Sequence, residues 1–566
     1  MFKIKLLYSL LFIFITNSIV AQSFQPIATV NSKNFIPAQK DIAESANGMV
    51  TTQHFLATKV GEDILNQGGN AFDASIAIGF TLAVVLPRAG NIGGGGFMVI
   101  HDSVTDKEYS IDYREKAPKK SSKNMYLKED GSFNDKQLST LGYLSSGVPG
   151  TVAGLWEVHS KFGSLPWEQL ISHAIFYAEN GFELSKYEAE RFNNNKSFLS
   201  KHAETKKIFT RDDRKWRRGD IFYQKDLAET LKRIAKYGRD GFYKGKTADL
   251  IVAEMKNVTD WITLKDLDNY ISKYRKPVIG EFKGLEVISM GPPSSGGILL
   301  VMMLNMYTSF GEVNNTDVFN LKFNSSEYVH LITEIERRAY ADRATHLGDS
   351  DFWKVPSEML LSKTYAKDRI QNINTKRSTG SNEVKAGDKP FSESEETTHY
   401  SVIDKHGNAV SVTTTINSGY GSGITVTGAG FILNNEMDDF SSKPGVPNMF
   451  GLIGNEANAI EAYKRPLSSM TPTIVLKNNK PFLILGTPGG STIITTVFQN
   501  ILNVVTHNMN IKEAVDAPRF HSQWLPDQID HEKNSLSKKT ANQLKRLGHK
   551  TEKRGYIGEA NGIMID

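Results

Sequence analysis

The sequence predicts a layered α/β sandwich. Segments with the 3.6-residue apolar spacing of packed helices fill much of the chain up to about residue 345. Strand–turn–strand patterns mark the C-terminal third. The composition, 39% hydrophobic and 23% charged over 566 residues, is rich enough in apolar groups to bury a large core. Helices and strands of this kind bury their apolar faces by stacking in layers.

The first element is a targeting signal. Lys3 and Lys5 precede the apolar run Leu6 to Ile15, a polar break follows at Thr16–Ser18, and Ala21 is a small residue suited to a signal-peptidase site. The run is too short to span a bilayer comfortably. The pattern predicts removal of residues 1–21 and an exported, periplasmic or secreted protein without a stable membrane span. Next, Phe55, Val60, Ile64 and Leu65 share a stripe within Thr52–Gln67, and Gly68–Gly69 ends that helix. Ala71 to Leu86 reads as a buried helix stopped by Pro87. The glycine-rich turn Gly90 to Gly96 leads into the apolar run Phe97–His101. No Gly-Lys-Ser/Thr completes a phosphate loop, so the turn predicts close backbone packing and not nucleotide binding.

Residues 150–275 are mostly helical in pattern, with polar breaks near 193–197 and 211–219. A strand, Leu285 to Met290, enters Gly291-Pro-Pro-Ser-Ser-Gly-Gly297, and helices follow at about 298–309 and 326–345. Asn372 to Glu396 is almost free of aliphatic residues and predicts an exposed mobile linker. The pattern then flips at Thr397. Thr397–Asp404 and Ala409–Ile416 form a hairpin around Lys405–Asn408, and Thr473–Leu476 with Pro481–Gly486 form a second.

Composition narrows the chemistry. The chain has no cysteine, which excludes a thiol nucleophile, thiolate zinc and cysteine-held clusters. Its net charge of +5 is spread along the chain without a basic block, so nucleic acid is not an expected partner.

The border at Glu396–Thr397 is the most informative feature. A hydroxyl needs a base beside it to act as a nucleophile. Cleavage before Thr397 would create an α-amino group of pKa about 7.7–8.0, suited to that task. Asn434-Asn-Glu-Met-Asp-Asp-Phe440 offers carboxylates for an ammonium group, and Arg114 in Asp112-Tyr-Arg-Glu115 offers a guanidinium for a carboxylate. Ser468 and Ser469 are adjacent hydroxyls in a Pro-flanked segment. Gly486-Thr-Pro-Gly-Gly-Ser491 follows a strand and presents unobstructed N–H groups, as an oxyanion hole requires. Taken singly, each has an ordinary reading as a strand start, a surface ion pair or a turn.

In this order the motifs resemble the gamma-glutamyltransferase family, also called gamma-glutamyltranspeptidase or glutathione hydrolase. The resemblance runs from about Gly48 to the chain end, through Gly68-Gly-Asn-Ala-Phe-Asp-Ala74, Ala89 to Phe97, Gly147-Val-Pro-Gly-Thr-Val-Ala-Gly154, Pro292 to Gly297, Tyr340-Ala-Asp-Arg343 and Ala517-Pro-Arg-Phe-His521. It implies the four-layer αββα sandwich of the N-terminal-nucleophile hydrolases. It also implies a precursor that cleaves itself at Glu396–Thr397 into two subunits, 22–396 and 397–566, which stay together as a heterodimer. By the same resemblance Thr397 is the nucleophile, Thr415 helps activate it, and the N–H groups of Gly489 and Gly490 form the oxyanion hole. Arg114, Ser468 and Ser469 grip the glutamyl α-carboxylate; Asn417, Glu436 and Asp439 grip its α-amino group. The substrates implied are glutathione and other γ-glutamyl compounds, with water, amino acids or dipeptides as acceptors. No metal or organic cofactor is required.

Two departures accompany the resemblance. Phe450, in the loop Ser441–Phe450 that resembles the family's lid, stands where a Tyr hydroxyl commonly bonds the Asn at position 417. The chain also ends at Asp566, before the Asp-Pro-Arg-containing tail that the resemblance leads one to expect. The alternative enzyme is a related amidase such as a cephalosporin (glutaryl) acylase, for which the charge of Asp439 has no use. A non-catalytic binding protein on the same fold would be expected to have lost Thr397, Thr415 or the Gly489–Gly490 pair.

Overall fold

The computed structural model describes residues 42–134, 137–256, 260–384 and 397–566. The predicted signal peptide, Glu396 and the end of the predicted linker lie outside the described residues.

Six main strands precede Thr397: β1 (Gly48–Thr52), β2 (Gly95–Asp102), β3 (Lys107–Asp112), β4 (Lys273–Arg275), β5 (Val278–Phe282) and β6 (Leu285–Ser289). Five follow it: β7 (Thr398–Asp404), β8 (Ala409–Thr415), β9 (Thr473–Lys477), β10 (Lys480–Gly486) and β11 (Asn561–Met564). The principal helices are α1 (Phe55–Asn66), α2 (Ala71–Val85), α3 (Thr151–Phe162), α4 (Trp167–Asn180), α5 (Lys225–Tyr237), α6 (Gly296–Asn314), α7 (Ser326–His346) and α8 (Thr492–Val505).

The first sheet has the order β1-β7-β8-β2-β3-β4 and the second β11-β10-β9-β6-β5, antiparallel throughout. Both faces of each sheet are covered, and the side-chain alternation of the strands shows by what. In β2, Phe97 and Val99 join Ile288, Ile474 and Ile484 in an apolar layer between the sheets. Met98 and Ile100 point the other way, into the core shared with α1 to α5. In the second sheet Val287, Val475, Leu483 and Leu485 face a third core with α6, α7 and α8. Helices, sheet, sheet, helices: the predicted four-layer αββα sandwich is the observed one.

Local signals explain where the elements begin. Asn70 caps α2 in a reciprocal capping box with Asp73, and His54 caps α1. α6 is long and apolar enough to cross a membrane, but its residues from Gly296 to Tyr307 are buried in the core against the second sheet. The glycine-rich turn packs tightly, as its sequence predicts. A Cβ on Gly93 would lie 2.1 Å from the Ile432 carbonyl oxygen, and one on Gly94 2.1 Å from that of Thr415.

Two expectations change. Strands are not confined to the C-terminal third: β1 to β6 precede Thr397, and β1 pairs with β7, β2 with β8 and β6 with β9, because a short strand is stabilised by a neighbour that can be distant in sequence. The described part of the predicted linker, 372–384, is docked and not loose. Asn372 Oδ1 accepts from Arg338 Nη2 at 2.7 Å, the Thr379 N–H donates to Glu334 at 2.9 Å, and Ser381 Oγ donates to the Trp524 carbonyl. Buried polar partners hold it, together with Ile373 and Val384, its two buried aliphatic side chains.

Candidate active site

The hairpin register builds the centre of the site. Thr398 on β7 is paired with Thr414 on β8, so Thr397 and Thr415 face each other at the open end. Their hydroxyl oxygens are 3.3 Å apart, and both residues are buried. Thr415 is fixed from two sides: its Oγ1 accepts from the Asn417 N–H at 2.8 Å, and its carbonyl accepts from Asn91 Nδ2 at 2.9 Å.

The second part of the site is the turn between β10 and α8. Gly489 and Gly490 have φ of +137° and +54°, which suit glycine. The Gly489 carbonyl turns back onto α8, accepting from the Thr492 N–H at 2.9 Å and its hydroxyl at 2.7 Å. Among the described residues no acceptor takes the N–H of Gly489 or of Gly490. The positive end of the α8 dipole lies at the same point, so the turn is suited to an oxygen that gains negative charge.

The third part is a cluster of buried charges. Asp112, at the end of β3, accepts from the Arg114 N–H at 3.0 Å and is itself paired with Arg275 and Arg465. The Arg114 guanidinium donates to Glu436 and to Asp439, and Glu115 lies 3.6 Å away. Burial opposes its charge, but Glu436 and Asp439 outweigh that effect and hold its pKa above the usual range. Burial likewise pushes the carboxyl groups of Glu436 and Asp439 up, with Arg114 pulling against it. The groups expected to hold opposite ends of a zwitterion thus neutralise each other here, as opposite charges in a low-dielectric site do.

Ser468 and Ser469 sit on a segment clamped by the Pro292–Gly297 motif. Ser295 donates through N–H and hydroxyl to the Ser468 carbonyl at 2.8 and 2.7 Å, and Ser294 Oγ donates to the Met470 carbonyl at 2.6 Å. Asn417, at φ +75°, donates from Nδ2 to the Asn435 carbonyl at 2.9 Å.

The loop Ser441–Phe450, expected to act as a lid, is folded over this cluster. A Cβ on Gly490 would come within 2.8 Å of the buried Phe450 ring. The Phe450 carbonyl accepts from Gln523 Nε2 at 3.2 Å, the Met449 N–H donates to Asp438 at 2.9 Å, and Asn448 Nδ2 donates to Asp439 at 3.3 Å. In place of the bond that Phe cannot make, Asn417 Nδ2 lies 3.8 Å from the Met449 sulfur.

Every predicted site residue except Gly489 and Glu396 lines one cavity, together with Leu452, Met470 and Ile493. Its free space is about 20 Å³, room for a water but not for an amino-acid side chain while the loop is closed and Arg114 holds its carboxylates. Sequence reasoning missed three residues here: Glu115, Gln523 and Arg343. Arg343 stands in the quoted motif Tyr340–Arg343, and that motif was the available signal.

Among the described residues one group of metal-capable side chains converges, His330, Glu334 and His549, with ligand atoms within 4.8 Å of one another. Those atoms already have partners. The two imidazoles are joined at 2.7 Å, and Glu334 is paired with Arg337 and Arg338, whose positive charge opposes a cation.

The family model described as gamma-glutamyltranspeptidase matches residues 57–566. A glutathione hydrolase proenzyme of Escherichia coli (strain K12) is 44% identical over 519 residues, 92% of this chain and 88% of that protein. The crystal structure of Helicobacter pylori gamma-glutamyltranspeptidase is 43% identical with a TM-score of 0.58, covering 61% of this chain and 97% of that one. The structure of a cephalosporin acylase from Bacillus halodurans has a TM-score of 0.78 at 24% identity, covering 96% and 95%, a likeness that shows the fold.

Proposed function

The chain belongs to the gamma-glutamyltranspeptidase family, and from that premise we propose that Thr397, freed by cleavage of the Glu396–Thr397 bond, is its nucleophile. The protein is a self-processing enzyme that hydrolyses glutathione and related γ-glutamyl compounds and transfers their γ-glutamyl group. One observation carries the assignment of the site: a threonine pair, Gly490 of the glycine turn and a buried set of both charges meet around a single cavity.

The chemistry follows from that arrangement. The Thr397 hydroxyl oxygen attacks the γ-carbonyl carbon while its proton passes to the α-amino group of the same residue. The oxygen that gains charge is met by the N–H groups of Gly489 and Gly490. Collapse breaks the C–N bond, and the proton returns to the departing amine, leaving a glutamyl ester on Thr397. Water or an amino acid or dipeptide amine then attacks the ester and restores the hydroxyl. Thr415, 3.3 Å from Thr397, orients the nucleophile. Arg114, Ser468 and Ser469 take the α-carboxylate, while Glu436, Asp439 and Asn417 take the ammonium group.

An acylase acting on glutaryl substrates would share the fold, but a buried carboxylate pair made for an ammonium group penalises a substrate that lacks one. Export with removal of residues 1–21 belongs to the same proposal. Denaturing electrophoresis of the purified protein, with N-terminal sequencing of both bands, tests it. The expected starts are Gln22 and Thr397, and Thr397→Ala should remain one inactive chain. A Thr397→Ala protein that still divides at this bond overturns the assignment.

A further inference from the structure

Arg343 is a second guanidinium in the site, on α7, and its surroundings differ from those of the other arginines there. Arg114, Arg275 and Arg465 are each paired with a carboxylate. Arg343, 4% exposed, instead donates from Nε to Ser295 Oγ at 3.0 Å and from Nη2 to Ser469 Oγ at 3.2 Å. Among the described residues no carboxylate lies within 4 Å of it; Asp439 acts on it only from a distance. Burial lowers its pKa to about 10, still well above neutrality, so it carries its charge. A buried cation held by neutral hydroxyls lacks a counter-ion.

The hydroxyl geometry tells where that counter-ion would sit. A serine hydroxyl has one proton to donate. Ser469 Oγ accepts from Arg343 and Ser468 Oγ accepts from the Met470 N–H at 3.1 Å, and neither proton is given to a described acceptor. Both serines line the cavity, so both are set as donors toward it. We propose that Arg343 is a positioning and specificity residue for the substrate's α-carboxylate, fixing Ser469 as a donor and supplying the positive charge that Arg114, shared among three carboxylates, does not supply alone. The inference rests on the γ-glutamyl reading of the site and adds a residue to it.

The test compares a γ-glutamyl anilide with a 4-aminobutyryl anilide, which keeps the ammonium group and lacks only the α-carboxylate. For Arg343→Gln, loss of charged hydrogen bonding should raise KM for the γ-glutamyl anilide about tenfold or more, with kcat changed less than about threefold. On the 4-aminobutyryl anilide kcat/KM should change less than about threefold, since no carboxylate is present to lose its partner. In a Ser469→Ala background the Gln substitution should cost less than it does alone, because the two residues act on one carboxylate. Arg343→Lys, which keeps the charge but cannot span Ser295 and Ser469, should lie between wild type and Gln, and it replaces the Gln variant if that one fails to mature. Equal losses on the two anilides, or an unchanged KM, overturn the proposal. A wild-type enzyme inactive on the γ-glutamyl anilide would instead defeat the reading of function.

Discussion

Asp439 is where the charges of the site divide their allegiance, since it faces Arg114 in this structure and the ammonium group in the proposed complex. Asp439→Asn keeps the shape and removes the charge. It should lower kcat/KM for a γ-glutamyl anilide by about 1.5–3 kcal/mol, roughly ten- to over a hundredfold, and affect a glutaryl anilide far less. Equal losses on both would remove Asp439 from the ammonium grip. Glu115 makes a different prediction. It is fully buried, and burial pushes its pKa up to about 7 against the pull of Arg114. A carboxyl group whose folded pKa is raised contributes stability that is fully present below its unfolded value, about 4.3, and lost as pH rises through the folded one. The melting temperature of the unliganded enzyme should therefore fall between pH 5 and pH 8 in part through this group. Glu115→Gln, which mimics the protonated form, should flatten that fall, and calorimetry at the two pH values measures it. An unchanged slope would show that Glu115 does not titrate in this range.

At the scale of elements, the lid shows how one lost bond is replaced by others. Without a tyrosine hydroxyl at Phe450, closure rests on the ring against Gly490 and on backbone and side-chain bonds to Gln523, Asp438 and Asp439. The Gln523 bond belongs to a relay, because His521 joins Gln523 at 2.9 Å and Thr495 of α8 at 2.8 Å. The lid is thus tied to the helix that begins at the glycine turn. Gln523→Ala removes the bond to the Phe450 carbonyl and the bond to His521. Losing about 1 kcal/mol of closure leaves the cavity open more of the time, so KM should fall several-fold. Proteolytic cutting within 441–452 should also quicken; if neither changes, this bond does not hold the lid. The helix α7 carries a related lesson. Its charged residues Glu334, Glu336, Arg337, Arg338, Asp342 and Arg343 resemble a solvated face in sequence, yet all are buried. Glu334 pairs with Arg337 and Arg338 within the helix, but Arg337 also reaches Asp527 and Asp342 reaches Arg369, while Glu336 and Arg343 are met by neutral groups of Ser522, Ser295 and Ser469. Those distant partners are what local pattern does not reveal.

For the whole molecule, the interleaving of strands decides what processing can do. In the first sheet β7 and β8 lie between β1 and β2, and in the second β9 lies beside β6. A cut before Thr397 therefore leaves two chains joined by three β-ladders and by all three apolar layers. Size-exclusion chromatography should give the same apparent mass before and after maturation, with the chains separating only in denaturant. Separation in native buffer would contradict this reading of the fold.

What the sequence determined by itself was whatever is encoded locally or in motif order. Apolar spacing placed α1, α2, α6 and α7, the turn chemistry placed both hairpins, and the motifs named Thr397, Thr415, Arg114 and the other polar residues of the cavity wall. Tertiary structure alone decided the contacts between distant segments. It paired β1 with β7, docked the aliphatic-poor segment 372–384 onto α7, and set Arg114 against Glu436 and Asp439. It also brought Arg343 under Ser469. The physical reason is common to all of these: strand pairing and burial of charge are stabilised by partners far away in the chain, and a local window holds only one member of each pair.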